Sequence, residues 1–346
     1  MVLEDHPAAR VSVLITQFHP RGFLREAVQS VLDQRAESPV ELIVVLAAPD
    51  PASEAWLGTV AQVDRVLRTD EPRIGAMLRN GLEQAHGELV CFLDDDDRFR
   101  AGKLAAVDSI FRSEPDLEFY HHQIDLIDDG GRPVVNSGFR RRQRERMPPT
   151  SAIILGGADK LRRLGSLAPA GPDFNLSSVC VRRSALLPFL DALGEVTAGP
   201  DAFIFFAAGL LSRGAIRCDG ARWTEYRLHA SSVSRAGSTG DGDPRPALQA
   251  ASLLQARAQR AVVLLAERAG DARLVDLARG YVACHQFFAE LRSPRPTRSG
   301  WMRSWWGLLP HWRTIPFRAN WPAIFGSLGW LASPERTQRA YLRAIA

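Results

Sequence analysis

Apolar runs alternate with helix-spaced segments through the first hundred residues, and that alternation restricts the chain to a few folds. Residues 11–16 (VSVLIT) are β-branched and apolar, the composition of a buried strand. Over 22–34, Phe23, Leu24, Ala27, Val28, Val31 and Leu32 recur at helical spacing and share one face. Residues 40–46 (VELIVVL) predict a second buried strand, 52–63 a helix, 63–67 a short strand, 74–85 a helix and 89–93 a further strand. A strand, a helix and a returning strand close most readily as a right-handed crossover between parallel strands. Such a sheet gathers the carboxyl ends of its strands along one edge, where open α/β sheets bind their ligands.

The strand at 89–93 ends in Asp94, Asp95, Asp96 and Asp97. Four adjacent carboxylates repel one another and would ordinarily lie apart in water. At the end of a buried strand they make sense as oxygen ligands for Mg²⁺ or Mn²⁺, hard cations that often share their shell with a substrate's phosphates. A solvated acidic turn is the plainer alternative, and the flanking sequence bears on which holds.

At 346 residues the chain can form one large or two ordinary domains. Its net charge of +4 is modest, and no nucleic-acid partner is expected. Lys103 and Lys160 are the only lysines; the other basic residues are arginines. Cys91, Cys180, Cys218 and Cys284 are scattered without metal-ligand spacing, so they read as small buried residues of a reducing compartment. The polar start lacks a signal-peptide core, and no run reaches the ~18 apolar residues that span a bilayer. The expected location is cytoplasmic, on the inner face of a membrane if the tail described below binds one.

Beyond the aspartates the pattern predicts a helix over 103–113, a strand over 118–128 and a turn at Asp128-Asp129-Gly130-Gly131. Five arginines within 140–146, then Pro148-Pro149, read as a mobile basic loop. A strand over 177–181, a helix over 201–211 and a strand edge over 214–218 follow. The Gly/Ser/Asp/Pro-rich stretch 237–246 is the expected domain linker. Ala- and Leu-rich helices over 247–269 and 271–291 then lead through a Pro/Arg hinge at 293–298 into a tail holding six of the eight tryptophans.

The motifs around the aspartates resemble those of the family 2 glycosyltransferases. Arg73-Ile74-Gly75, Leu78-Arg79-Asn80-Gly81, Gly87-Glu88, Phe92-Leu93-Asp94-Asp95-Asp96-Asp97 and Lys103-Leu104 follow the family's order. The resemblance runs from about 11 to about 235, loosely across 130–174, and leaves the last hundred residues uncovered. It implies an α/β GT-A catalytic domain over 8–236, the linker 237–246, a helical extension over 247–292 and a Trp/Arg-rich amphipathic tail over 299–346. The implied activity is metal-dependent, inverting hexosyl transfer from a nucleotide-sugar donor to a hydroxyl of a glycan or lipid-linked saccharide, in bacterial surface polysaccharide synthesis. A nucleotidyltransferase is a rival reading, but Phe18-His19-Pro20-Arg21-Gly22 makes a poor phosphate loop. A non-catalytic scaffold keeping the fold is the other.

The resemblance also implies site residues. Asp94 and Asp95 face the nucleotide, with Arg79 and Asn80 in support, and Asp96 holds Mn²⁺ or Mg²⁺. For Asp97, a helix cap or a salt bridge to Arg98 or Arg100 is the preferred reading. Phe18 stands where an aromatic stacks on the base. The family's base-reading carboxylates after the second strand are replaced by Leu46-Ala47-Ala48-Pro49, leaving Asp50 or Asp70 as substitutes. Asp201, at the start of its helix, matches the general base that takes the acceptor proton; helix capping is its structural alternative, and Glu195 and Asp173 are weaker candidates. Tyr226-Arg227-Leu228-His229 resembles the family's closing motif, which makes His229 a metal ligand. His121 and His122 match nothing and read as exposed strand residues near the acceptor pocket. In the tail, Trp301, Trp305, Leu308, Leu309 and Trp312 share a helical face near Arg303 and Arg313. That face suits a membrane interface or an arm packed on the catalytic domain or on a second copy of the chain in a homo-oligomer.

Overall fold

The structure, a computed structural model, describes residues 10–47, 50–71, 73–134, 147–157, 160–167, 170–229, 245–311 and 338. The chain divides into two compact units, Met1–Arg227 and Leu228–Ala346. The basic stretch 140–146 and most of the expected linker, 237–244, lie outside the described residues.

The first unit is built on a nine-stranded mixed sheet. Its strands are β1 (Val11–Gln17), β2 (Val40–Leu46), β3 (Arg65–Arg68), β4 (Leu89–Asp94), β5 (Arg98–Phe99), β6 (Leu117–Ile127), β7 (Ala152–Leu155), β8 (Val179–Arg182) and β9 (Ala215–Arg227), in the order β3-β2-β1-β4-β8-β6-β9-β5, with β7 also on β9. The pairs β1–β2, β1–β4 and β2–β3 are parallel, as strand-helix alternation requires. β8 runs antiparallel between β4 and β6. Thr16 pairs with Asp94 and Gln17 with Leu46, so β1, β2 and β4 end level with one another. β1 is buried along its whole length, which is why its sequence is apolar without alternation.

Helices α1 (Leu24–Leu32), α2 (Pro51–Leu57), α3 (Ile74–Gln84) and α4 (Lys103–Ser113) connect these strands. Leu24, Ala27, Val28 and Val31 form the buried stripe of α1 predicted by their spacing. Gly75 is required on α3: a Cβ there would lie 1.9 Å from the Leu193 carbonyl oxygen, and its own N–H donates to Val196 O at 2.9 Å.

Three boundaries differ from expectation. The helix predicted over 52–63 ends at Leu57, with Gly58 as its C-cap. The segment from 201 forms α5 (Pro200–Ile204), which continues as a π-helical turn over Phe205–Leu211. The strand edge expected over 214–218 is the start of β9, at 13 residues the longest strand. Charged Arg217, Asp219, Arg222 and Glu225 hide it from a hydrophobicity pattern, yet Asp219 accepts from Tyr120 Oη and Glu225 from Arg98.

The second unit contains α6 (Arg245–Ala269), α7 (Ala272–Leu291) and α8 (Arg298–Leu308). Asp271 caps α7 by accepting the N–H of Arg273 and Leu274, and Thr297 caps α8 through Gly300 N–H. Trp301 and Leu308 bury against Cys284, Phe287, Phe288 and Leu291, with Trp305 beside them. The predicted apolar face of the tail therefore packs on a neighbouring helix over its first turns, while Met302, Trp306 and Leu309 remain exposed. Trp312, Arg313 and the later tryptophans lie outside the described residues. No helix among the described residues is long and apolar enough to cross a membrane.

Candidate active site

The end of β4 is a tight turn anchored to its neighbours. Asp95 N–H donates to Thr16 O at 3.2 Å, Asp97 N–H to Asp94 O at 3.1 Å, and Asp94 N–H to Ser177 Oγ at 3.0 Å. Asp94, Asp96 and Asp97 each bring a carboxylate oxygen to within 4.8 Å of the others. Asp95 and Asp97 are only 2% and 1% exposed, and each keeps one oxygen, Oδ2, without a hydrogen-bond partner. Burial, then the field of the neighbouring carboxylates, holds Asp94 and Asp97 well above the ordinary carboxylate range. The same two causes push Asp95 up to about 8. An all-oxygen donor set with orphaned buried oxygens fits a hard divalent cation.

Asp97 does not pair with Arg98 or Arg100. Arg98 binds Glu225 and Glu26, and Arg100 binds Asp125. Asp97 Oδ1 instead accepts the backbone N–H of Arg227 at 3.0 Å. The Arg227 side chain, 1% exposed, completes the clamp. Its guanidinium donates to Asp96 O at 2.8 Å, Asp129 O at 2.9 Å and Glu26 at 2.6 Å, and lies 4.3 Å over the Phe23 ring. Lys103 holds the other side: its buried Nζ donates to Ser177 O at 2.7 Å and Thr224 Oγ1 at 3.2 Å and sits 3.5 Å above the Phe99 ring. Sequence reasoning assigned no role to Ser177, Lys103 or Arg227. The signal lay in the Lys103-Leu104 and Tyr226-Arg227 motifs, but a cation that bonds main-chain oxygens across strands leaves no local pattern.

Asp201 opens α5 directly after Gly199, whose φ of 61° suits glycine. Its Oδ1 accepts Ala202 N–H at 3.0 Å, the capping arrangement, and its Oδ2 accepts Asn175 N–H at 2.9 Å. Burial, with the nearby Asp173 adding to it, pushes its carboxyl up to about 6. Asp201 in turn raises Asp94 through its field, so the helix start and the strand end are electrostatically linked. Asn175 is buried at φ 68°, a left-handed conformation that few residues other than glycine adopt. His121 Nε2 donates to Phe174 O at 2.9 Å and steadies that turn. His121 and His122 are 3% and 0% exposed, which corrects the expectation of exposed strand residues. Burial holds His121 down at about 4, so its ring is neutral at neutral pH.

The remaining expected residues fall as follows. Phe18 is half-buried and meets the His19 ring edge-on at 4.6 Å. Asp50 caps α2 through Ser53, and Asp70 is exposed. Arg79 pairs with Glu83 at 2.9 Å along α3, where Asn80 is half-buried. Glu195 is bound at the surface by Arg73 at 2.6 Å. Asp173 is half-buried, with its carboxyl raised by burial. His229 is buried and belongs to the second unit.

The sequence profile of Glycosyl transferase family 2 matches residues 12–163. An uncharacterized glycosyltransferase of a Nostoc species is 26% identical over 133 residues, covering 36% of this chain and 39% of that protein. TuaG of Bacillus subtilis, which bears the name of a teichuronic acid biosynthesis glycosyltransferase, is 33% identical over 98 residues, covering 27% of this chain and 38% of its own. The match thus spans about two-fifths of each curated relative. Among solved structures, S. aureus TarS 1–349 in complex with UDP-GlcNAc superposes with a TM-score of 0.50 at 14% identity, over 88% of this chain and 89% of that one. This similarity carries the fold, a mixed sheet of GT-A type. Residues 12–163, which carry the strand-end aspartates, thus match the profile of Glycosyl transferase family 2, and the first unit has the mixed sheet of a GT-A fold.

Proposed function

We propose that this chain transfers a sugar from a nucleoside diphosphate donor to a hydroxyl group of a glycan or lipid-linked acceptor, with inversion at the anomeric carbon. The observation that carries this reading is the convergence of Asp94, Asp96 and Asp97 oxygens to within 4.8 Å of one another at the end of β4, with Asp201 near enough to raise Asp94. One acidic group is suited to a cation and its phosphates, the other to a proton. Asp94, Asp96 and Asp97 would hold Mg²⁺ or Mn²⁺. When bound, the ion neutralises charge on the leaving diphosphate.

Asp201 takes the acceptor proton as the oxygen attacks. Two backbone N–H groups orient its carboxylate, and a value near 6 leaves it ionised yet basic at neutral pH. Phe18 would stack on the base, with Asp95, Arg79 and Asn80 in the donor site. Because Asp50 is committed to capping and Ala47 stands at the end of β2, the base is held loosely. Uridine and another nucleotide should then differ in affinity by less than about tenfold, 1.4 kcal/mol. UDP-GlcNAc, bound by TarS, is the first donor to try. The relative named for teichuronic acid biosynthesis supports a cell-surface polysaccharide as the product. The exposed Trp306 and Met302, with Arg303, would let the tail rest on a membrane.

Two variants test the reading. Asp96→Ala should lose Mn²⁺-dependent nucleotide binding in calorimetry. Asp201→Asn should keep that binding while turnover falls by roughly 10² or more. Unchanged turnover in Asp201→Asn would move the base to Asp173 or Glu195.

A further inference from the structure

Among the described residues, a partly exposed arginine already sits on the acidic turn. Arg21 Nη1 lies 3.2 Å from Asp96 Oδ2 and 3.9 Å from Asp95 Oδ1. Arg227 is fastened by several main-chain and side-chain oxygens and is fully buried. Among the described residues Arg21 pairs with these two carboxylates, and its side chain is 29% exposed. It sits in the segment between β1 and α1 that also carries Phe18, and Gly22 follows it at φ +84°. Nothing lies within 4 Å of where a Cβ on Gly22 would stand, so the backbone joint next to Arg21 is open. Buried carboxylates otherwise repel, and Arg21 offsets part of that repulsion at Asp94 and Asp95.

We propose that Arg21 is an exchangeable counter-charge: it occupies the acidic turn when no ion is bound, gives way to the divalent cation, and then turns its guanidinium onto the donor's diphosphate. This rests on the reading of Asp94, Asp96 and Asp97 as the cation site. The exclusion is electrostatic. A divalent cation ligated by Asp96 lies about 2.1–2.5 Å from its oxygen, which sets a double positive charge beside the guanidinium on the same carboxylate and repels it. A displaced guanidinium on a short exposed segment then meets the doubly charged group that arrives with the ion, and its planar fork matches phosphate oxygens.

The two halves predict opposite signs, which a general loss of structure cannot imitate. Calorimetric titrations would compare wild type with Arg21→Gln, first with Mn²⁺ alone and then with UDP at saturating Mn²⁺. Mn²⁺ should bind Arg21→Gln about tenfold tighter, because its competitor is gone. UDP should bind the same variant about tenfold weaker, because a charge-assisted contact is lost. Arg21→Lys should fall between the two in both titrations. Mn²⁺ affinity that is unchanged or lowered in Arg21→Gln overturns the counter-charge role, and unchanged UDP affinity overturns the phosphate role. If wild type itself binds no Mn²⁺, with Asp96→Ala indistinguishable from it, the cation site fails and this inference with it. Wild-type binding with an inert Arg21→Gln leaves that site standing and removes only the inference.

Discussion

The two units use their interiors in opposite ways. The first buries ionisable groups: Asp95, Asp97, Lys103 and Arg227 are all 2% exposed or less, and each is held by oxygens, N–H groups or an opposite charge. The second is joined inside by apolar helix faces and keeps Leu253, Leu254, Leu264, Met302, Trp306 and Leu309 on its outside. A buried ion costs several kcal/mol unless neighbours compensate it, and the first unit maintains such groups beside a strand end that could have been apolar. That cost is understandable at a site for a charged ligand. The second unit carries no comparable internal charge among the described residues, and its six exposed large apolar side chains compare with Val66, Ile154, Phe174 and Leu187 in the larger first unit.

The contrast can be broken most severely at Arg227. Arg227→Met should destabilise the first unit by about 3–5 kcal/mol, since it strips Glu26 and three carbonyls of their partner; chemical denaturation would measure it. A loss near zero would mean that this buried charge is incidental to the fold. Trp301→Ala is the matching cut in the second unit, where it should cost about 3 kcal/mol by opening a cavity against Phe287 and Leu291. Nucleotide binding should persist in that variant, because Asp94–Asp97 and Asp201 belong to the first unit; its loss would refute that expectation. Removing 299–346 should have the same sign, because Trp301 and Leu308 are core residues of the second unit.

The frame of the first unit was legible because its signals are local. Whole strands of apolar residues over 11–17 and 40–46, and the stripe of α1, announce themselves within a few residues. The acidic turn was legible for the same reason, four carboxylates being adjacent in the chain. What holds the turn was not. Ser177, Lys103 and Arg227 come from three distant segments, and their roles exist only once β4, β8 and β9 share a sheet. β9 was shortened for a related reason, since its charged residues are satisfied across strands. The histidines at 121 and 122 were misplaced because neutral buried imidazoles look in sequence like exposed polar ones. The place of Asp201 in the first turn of a helix was legible because that helix start and its apolar face are sequential neighbours.

A third test turns on pH. Asp201 has a folded value of about 6, above its ordinary range, so the folded state binds its proton more tightly than the unfolded state does. Its contribution to stability is therefore greatest in acid and is lost as pH rises to about 6. Turnover moves the other way, climbing about tenfold per pH unit below 6, or about 1.4 kcal/mol per unit. Asp201→Asn should remove that stability slope, as the difference between the two denaturation profiles from pH 4 to 7 will report; an unaltered slope would assign it elsewhere. The smallest effect should come from Trp306→Ser. At 67% exposed this side chain supports little of the fold, and stability should change by no more than about 0.5 kcal/mol. A reduced tendency to bind anionic vesicles in that variant would sharpen the view that the exposed apolar side chains of the second unit meet a membrane.

The two lysines carry a practical consequence. Lys103 is 0% and Lys160 5% exposed, and both spend their ammonium groups on main-chain carbonyls, Lys160 on those of Gly209, Ser212 and Gly214. A compact three-donor head fits such clustered oxygens where a planar fork would not. Every other basic side chain is arginine, so the folded surface presents no lysine amine. Amine-directed cross-linkers and fluorescent esters will leave the native lysines untouched, and modification at Lys103 or Lys160 becomes a site-resolved clock of how often each part of the first unit opens.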